Sequence, residues 1–494
     1  MRNIRVSWAE IYHDSFSNIL KNIKKVRGAI VGFNTNIDAI IDFHSEQILN
    51  LIKKIGVDPV RLYTNILKWK GKIHSPVDFI TGLCGCFEKG KASEWLIESE
   101  ETYQYLLQNL PPPKKIQLGG QAGIIANLYA ELGVRQIFVH TTTLPKLMRE
   151  LFSKKKNIQI PLYNKEGELV FLHPRKVKDF DESLYFHIIS EVHKGDTLKL
   201  GEKLYWKCPR DNRFIATFDP PNAELEILEA FQRDIEVLAE KSDLLILSGF
   251  HMLNVKKLGK EGVNQKIIKT LELITRAKKA NPNLLVHLEL ASTKNRLLLD
   301  RLYYYSSKDT YWNSLGCNER ELVELLEAIK QKRLANEIKA DMFTNYELII
   351  KGALKVCEKL KLERLHLHLF GCYLLFVSKD YPIPEVLLFK TLCFASLIAA
   401  HKAITGKAKG VFKFKEIIDT IDIDATLPKA FKKVNNLLKK IETYVSYKDF
   451  DLNEYTILAV PTIIVQDPIQ TVGLGDTISA AALIAELTYR QLLF

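Results

Sequence analysis

Short apolar runs alternate with stretches of helical spacing along most of the chain. Residues 28–33 read as a buried strand, 123–132 as a helix and 136–140 as the next strand. Residues 244–249 form a strand that ends in a glycine turn. A long helix follows near 263–280, then a strand at 284–290. Further on come a helix at 322–332, a strand at 365–369, one or two strands within 457–465 and a closing helix at 477–492. Strand–helix alternation of this kind predicts a mostly parallel sheet covered by helices. Two stretches break the alternation. Residues 45–115 are rich in Lys, Glu and Pro, and 158–217 hold short strand-like pieces at 158–162, 168–172, 197–200 and 214–218. The pattern therefore predicts an α/β chain with two parts. A large domain takes 1–44, 116–157 and 218–494, and a discontinuous small α+β lid takes 45–115 and 158–217.

Composition changes this picture little. The chain has 494 residues, 47% of them hydrophobic, enough for a large core. The net charge of +12 favours anionic partners. The basic residues are dispersed in short pieces such as Lys24-Lys25 and Lys432-Lys433, so no nucleic-acid stripe is expected. Seven cysteines without CxxC spacing argue against a disulfide framework or a thiolate zinc site and fit a reducing cytoplasm. No signal peptide and no apolar run long enough to cross a bilayer is expected.

Chemistry concentrates in four places. Gly473-Leu474-Gly475-Asp476 directly precedes an amphipathic helix. Glycines let backbone amides turn inward, and a helix start adds partial positive charge, so this is an anion hole with a carboxylate beside it. Asp476 can take a proton from an attacking hydroxyl, or can merely cap the helix. His287-Leu288-Glu289 ends a strand and Asn318-Glu319-Arg320-Glu321 opens a helix, the places where α/β sheets collect ligands. Glu289 and Glu321 can hold Mg2+ through waters. Asn34-Thr35-Asn36-Ile37-Asp38 offers amides and an acid at alternate positions, suited to a polyol. Leu118-Gly119-Gly120-Gln121 permits close backbone approach before a helix. There is no P-loop, no protein-kinase signature set and no nucleophile elbow. In His366-Leu367-His368, one imidazole is expected to face a cleft and the other to pack.

Taken in order with Arg364-x-His366-x-His368, these motifs resemble the archaeal ADP-dependent glucokinase/phosphofructokinase family of the ribokinase-like superfamily. The resemblance runs from about residue 30 to the C-terminus. It implies a ribokinase-like large domain with a lid, and transfer of the β-phosphoryl of Mg-ADP to glucose, fructose 6-phosphate or both. Carried over by motif, Asp476 resembles the catalytic base, and also a group on the metal. Gly473 and Gly475 resemble the anion hole, and Arg213 a lid arginine reaching the ADP phosphates. Glu289 and Glu321 resemble the Mg2+-organising acids. Asn34, Asn36, Asp38, Gly120, Gln121 and the lid residues Glu94 and His173 match sugar-binding positions, with Glu88 the alternative to Glu94. Asn318, His368, Leu369, Val465 and Gly475 fall on the nucleotide side, although Leu369 and Cys372 stand where relatives carry Thr and Tyr. An acid at 94 would suit glucose, whereas fructose 6-phosphate would need a basic pocket, for which Arg175, Lys176, Lys178 and Arg210 are the candidates. The resemblance further implies a cytoplasmic protein, monomeric or a small homo-oligomer, with no nucleic-acid or membrane partner. The alternatives are an ATP-dependent ribokinase-like sugar or nucleoside kinase, and a non-catalytic sugar- or nucleotide-sensing relative.

Overall fold

A computed structural model describes residues 7–58, 62–63, 65–66, 71–200, 204–293, 295–306, 311–411, 428–443, 454–465, 468–470 and 472–493. Its strands, in chain order, are β1 (Ala29–Gly32), β2 (Asn36–Ile40), β3 (Lys72–Ile73), β4 (Ser93–Ile97), β5 (Lys115–Gly119), β6 (Ile137–Val139), β7 (Ile158–Tyr163), β8 (Leu169–Leu172) and β9 (Phe186–Val192). They continue with β10 (Thr197–Leu200), β11 (Leu204–Lys207), β12 (Asn212–Thr217), β13 (Leu244–Leu247), β14 (Leu285–Glu289), β15 (Ser314–Cys317), β16 (Arg364–Leu369), β17 (Cys372–Ser378) and β18 (Tyr455–Pro461).

Ten of them form one sheet in the order β18-β17-β16-β15-β14-β13-β1-β6-β7-β8. The centre, from β16 through β7, is parallel, and antiparallel pairs close both edges. Central strands such as Leu244–Leu247 are buried on both faces, which is why they read as continuous apolar runs. Their residues alternate between two cores. On one face lie the helices Trp8–Asn22, Gln121–Leu132, Glu385–Thr405 and Leu474–Leu493. On the other lie Val255–Ala280, Glu319–Ala328, Lys332–Ala340 and Tyr346–Leu360. The expected α/β class, a mostly parallel sheet flanked by helices, is the one observed.

A second sheet, β3-β4-β12-β9-β2-β5, has its own core under the helix Pro76–Lys89, and β10-β11 form a separate ribbon beside it. The strand pairing corrects the lid boundaries. β2 and residues 116–119 of β5 fall in spans expected for the large domain, yet β2 pairs with both β9 and β5 in the small sheet. Conversely β7 and β8, expected in the lid, extend the large sheet. Apolar runs identify strands but carry no information about which sheet completes their hydrogen bonds.

Helix boundaries move by a few residues where capping decides them. The second helix of the large domain starts at Gln121, because Gly120 turns at φ 70°, and it stops at Gly133, at φ 92°. The long helix is Val255–Ala280, with a kink at Gly259. The closing helix begins at Leu474, three residues before the expected start. One helix, Glu385–Thr405, is long and apolar enough to cross a membrane by composition, contrary to the sequence reading. It is a core helix, with 78% of its apolar window buried.

Candidate functional site

The parallel strands β1, β13, β14, β15 and β16 all end on one edge of the large sheet, where the small sheet approaches. β1 runs directly through Asn34 into β2, so one chain segment joins the two sheets. Asn34 sits at φ 56°, and its side-chain oxygen accepts from Asn36 Nδ2 at 3.1 Å.

Register then sets a row of polar side chains across one face of the small sheet. Gln117 pairs with Asp38, Asp38 with His187, and His187 with Thr217. Directly paired residues put their side chains on the same face, so four residues distant in sequence become neighbours. Gln117 Nε2 lies 3.4 Å from Asp38 Oδ2, and His187 Nδ1 lies 2.9 Å from Asn36 Nδ2. Thr217 donates to Glu94 Oε1 at 2.9 Å, and Glu94 is exposed. Asp219 stands 3.5 Å behind His187. Asn36, Asp38, His187 and Thr217 are buried and Gln117 is half-buried, and Asn36 Oδ1 is left without a hydrogen-bond partner. A buried acceptor of this kind carries a desolvation cost unless a donor, such as a sugar hydroxyl, arrives. Burial raises Asp38 to about 6 against the opposing pull of His187 and Gln117. Burial lowers the His187 pKa, but Asp219, Glu94 and Asp38 outweigh it and leave the group raised.

Gly119 and Gly120 are required here for space. A Cβ on Gly119 would lie 2.0 Å from Asp38 Oδ1 and 2.3 Å from Asn36 Oδ1, and one on Gly120 would meet the Asn34 carbonyl at 2.1 Å. Gln121 follows and ties together three segments at the edge of the large sheet. Its Nε2 donates to Asp476 Oδ1 at 3.1 Å and to the Leu290 carbonyl at 3.2 Å, while its Oε1 accepts from Gly249 N at 3.1 Å.

Asp476 is the third residue of the helix Leu474–Leu493, not its cap. Gly473 precedes the helix at φ 70°, and a side chain there would strike Ile124 at 2.5 Å. Thr471, at the start of this loop, lies outside the described residues. Lys402, which sequence reasoning missed, reaches the same turn from the last turn of Glu385–Thr405. It donates to the Gly473 carbonyl at 2.9 Å and to Thr477 Oγ1 at 3.0 Å. Burial lowers its pKa to about 8 despite Asp476 and Asp38.

Glu289 and Glu321 converge from the ends of β14 and β15. Asn318 caps the helix Glu319–Ala328, with Oδ1 accepting from Arg320 N at 2.9 Å and Glu321 N at 3.1 Å. Glu321 Oε2 accepts from Asn318 N at 2.8 Å. Glu289 Oε2 lies 2.9 Å from His287 Nε2. Burial pushes Glu289 well above the carboxylate range, and the negative charges of Asp476 and Glu321 push it further. Burial likewise takes Glu321 to about 8 and nearby Glu324 to about 7. Buried carboxylates that repel one another suit a divalent cation. Among the described residues, no three His, Cys, Asp or Glu are placed to hold a metal directly. A hard cation that keeps several waters, as Mg2+ does, suits such a site.

Behind Glu289 runs a buried chain of polar groups. His287 Nδ1 lies 2.7 Å from Ser314 Oγ. Arg364 Nη1 donates to that hydroxyl at 3.1 Å, and the Arg364 guanidinium pairs with Glu486 at 2.6 Å. Tyr381 donates to Glu486 at 2.9 Å. The sequence motifs flag His287 and Arg364 of this chain but not Ser314, Tyr381 or Glu486.

Most remaining predicted residues fall near the site. His368 is half-buried beside Gly475, whose hypothetical Cβ would lie 3.0 Å from His368 Nε2. His366 is packed, as expected. Arg213 is on β12, on the same strand face as Thr217. Val465 is half-buried beyond β18. Two expectations are corrected. His173 lies at the end of β8 in the large sheet, and its Nε2 contacts the Ser153 carbonyl at 3.0 Å. Its sequence neighbourhood resembled a lid turn, but His187 occupies the polar row instead. Leu369 is turned into the hydrophobic core with Leu365 and Leu367, because alternation along β16 places it opposite His368. The alternation at 186–192, with His187 among apolar residues, was the available signal for the missed histidine.

A doubly covered parallel sheet, an acid beside an anion-binding turn and a buried polyol row on a second sheet define a kinase for a small hydroxylated acceptor. A family model described as the ADP-specific phosphofructokinase/glucokinase conserved region matches residues 27–485. The ADP-dependent glucose/glucosamine kinase of Pyrococcus abyssi is 30% identical over 484 residues, covering 98% of this chain and 99% of the relative. The ADP-specific phosphofructokinase of Pyrococcus furiosus is 27% identical over 462 residues, covering 93% and 97%. A solved ADP-dependent kinase in complex with fructose 6-phosphate and ADPβS superposes with a TM-score of 0.80 at 28% identity, covering 98% of this chain and 99% of that one. The chain belongs to the ADP-specific phosphofructokinase/glucokinase family, and it is an ADP-dependent kinase.

Proposed function

We propose that this enzyme transfers the β-phosphoryl of ADP to a hydroxyl of a hexose held on the polar row, leaving AMP, with glucose as the preferred acceptor. The observation that carries the reading is the Gln121–Asp476 hydrogen bond, because Gln121 directly follows the Gly119-Gly120 turn that packs against Asp38, Asn36 and Asn34 and so sets the base beside the row. Asn36, Asp38, Gln117, Glu94 and His187 present both donors and acceptors, as a polyol requires. Asp476 accepts the proton of the attacking hydroxyl as the new oxygen–phosphorus bond forms and the bond to the departing AMP oxygen breaks. Amides of the 473–476 turn and Arg213 stabilise charge on the transferred group, and Asn318, His368 and Val465 line the nucleotide side. Glu289, Glu321 and Asp476 would hold Mg2+ through waters, and the ion would supply charge neutralisation to the phosphates.

The preference for glucose rests on Glu94, which is exposed beside Thr217 of the row, and on the engagement of two of the four candidate phosphate-binding cations elsewhere. Arg175 contacts the carbonyls of Glu150 and Phe152, and Arg210 Nε donates to the Gly90 carbonyl at 2.6 Å. Fructose 6-phosphate is the second reading, favoured by the ligand bound in the structural relative with a TM-score of 0.80. Assaying AMP release with Mg-ADP and each sugar in parallel separates the two. Release with neither sugar would sink the proposal, and preference for ATP over ADP would favour an ATP-dependent kinase. The seven cysteines are all free and buried, which supports a reducing compartment, the cytoplasm.

A further inference from the structure

The sugar row, the acid cluster and Asp476 leave one charged group at the centre of the site without a task. Lys402 is 6% exposed, and among the described residues its ammonium forms no ion pair. Its two partners are neutral, the Gly473 carbonyl and the Thr477 hydroxyl. A lysine in the last turn of a helix ordinarily serves its own helix's carbonyl end. The Lys402 amine instead reaches across to the start of Leu474–Leu493, where the helix already carries partial positive charge. Desolvation and the helix field therefore both oppose a cation at this point. A methionine of similar length would fill the slot without either cost. The charged and polar groups facing the amine are Asp476 and Thr477 on that helix, Asp38 on β2 and Lys115 on β5. Lys115 is itself bonded to Gln470 at 2.8 Å. Asp476 and Asp38 offset the charge at rest without touching it.

We infer that Lys402 is a positioning residue for phosphoryl transfer: its ammonium clamps the 473–477 turn from behind and keeps the anion hole positive for the incoming phosphoryl group. The clamp fixes Gly473 and Thr477 on either side of Asp476, so the base and the amides are held in one geometry before substrate arrives. The cation is placed where negative charge is about to appear, and reaction needs no rearrangement to bring it there.

This inference rests on the phosphoryl-transfer reading, so AMP release by the unaltered enzyme is measured first; its absence defeats that reading. Lys402→Met and Lys402→Gln are then compared with the parent for thermal unfolding and for kcat and KM with glucose and Mg-ADP. The expected result is a midpoint unchanged or raised for Lys402→Met, a glucose KM within about threefold, and a kcat lowered about 10²- to 10³-fold, as when one preorganised donor is removed. Placed on Asp476→Asn, Lys402→Met should cost much less than it does alone, because the two act as a unit. A folded Lys402→Met or Lys402→Gln enzyme with kcat within twofold of the parent would overturn the inference. So would failure of both variants to fold, which would make Lys402 a structural cation.

Discussion

In the proposed mechanism Asp476 takes the proton of the attacking hydroxyl. It stands third in its helix, and Gln121 donates to one of its oxygens at 3.1 Å. Asp476→Asn should therefore lower kcat by about 10²–10⁴ while sugar affinity, measured by calorimetry, stays near that of the parent. Asp38 makes a different prediction. Its carboxyl titrates at about 6, raised by burial. The ionised form accepts hydrogen bonds from the sugar, so glucose KM should climb as pH falls from 7 through 6, and Asp38→Asn should flatten that limb. The sign for stability is opposite. A raised carboxyl is disfavoured as an anion in the fold, so this group destabilises the ligand-free protein above about pH 6 and relieves it as pH falls. A pH-independent KM in the parent would remove Asp38 from the sugar site. Gly119→Ala should abolish sugar binding with a smaller effect on folding, because its Cβ would overlap the Asp38 carboxylate and Asn36 amide oxygens of the row.

Single elements connect distant parts of the site. The helix Leu474–Leu493 carries Asp476 in its first turn and Glu486 further along, and Glu486 anchors the Arg364–Ser314–His287 chain that ends on Glu289. One helix thus positions both the proton acceptor and the back of the acid cluster. Arg364 is fully buried, so Glu486→Ala would leave an uncompensated guanidinium. A loss of about 3–5 kcal/mol in chemical denaturation is expected. Unchanged stability would show that the pair is not what neutralises Arg364. The strands act similarly. β2 belongs to the small sheet yet continues directly from β1 of the large one, so the sugar row is tied to the catalytic edge by a three-residue connection.

At the scale of the molecule, the acceptor site is shared between two sheets with separate cores. A ligand held between them should stabilise both together. Glucose at one hundred times its dissociation constant should add about 2.7 kcal/mol, seen as a rise in the unfolding midpoint, with Asp38→Asn giving a smaller rise at the same glucose concentration. No shift in the midpoint with any hexose would place the acceptor elsewhere.

The sequence by itself determined what local physics can carry. Apolar runs fixed the central strands, glycines at 120 and 473 marked turns that require positive φ, and the Asn318/Glu321 pair announced a capping box. The motif order also identified the kinase family. Tertiary structure alone decided which sheet each strand joined, because backbone hydrogen bonds are indifferent to sequence and register is set by the partner. That pairing moved β2 and β5 into the small sheet, removed His173 from the site and brought in His187. It also turned Leu369 inward and delivered Lys402, a residue in the last turn of an apolar helix, to the back of the anion hole. Side chains separated by scores of residues meet only after the chain has packed, and their chemistry exists only in that meeting.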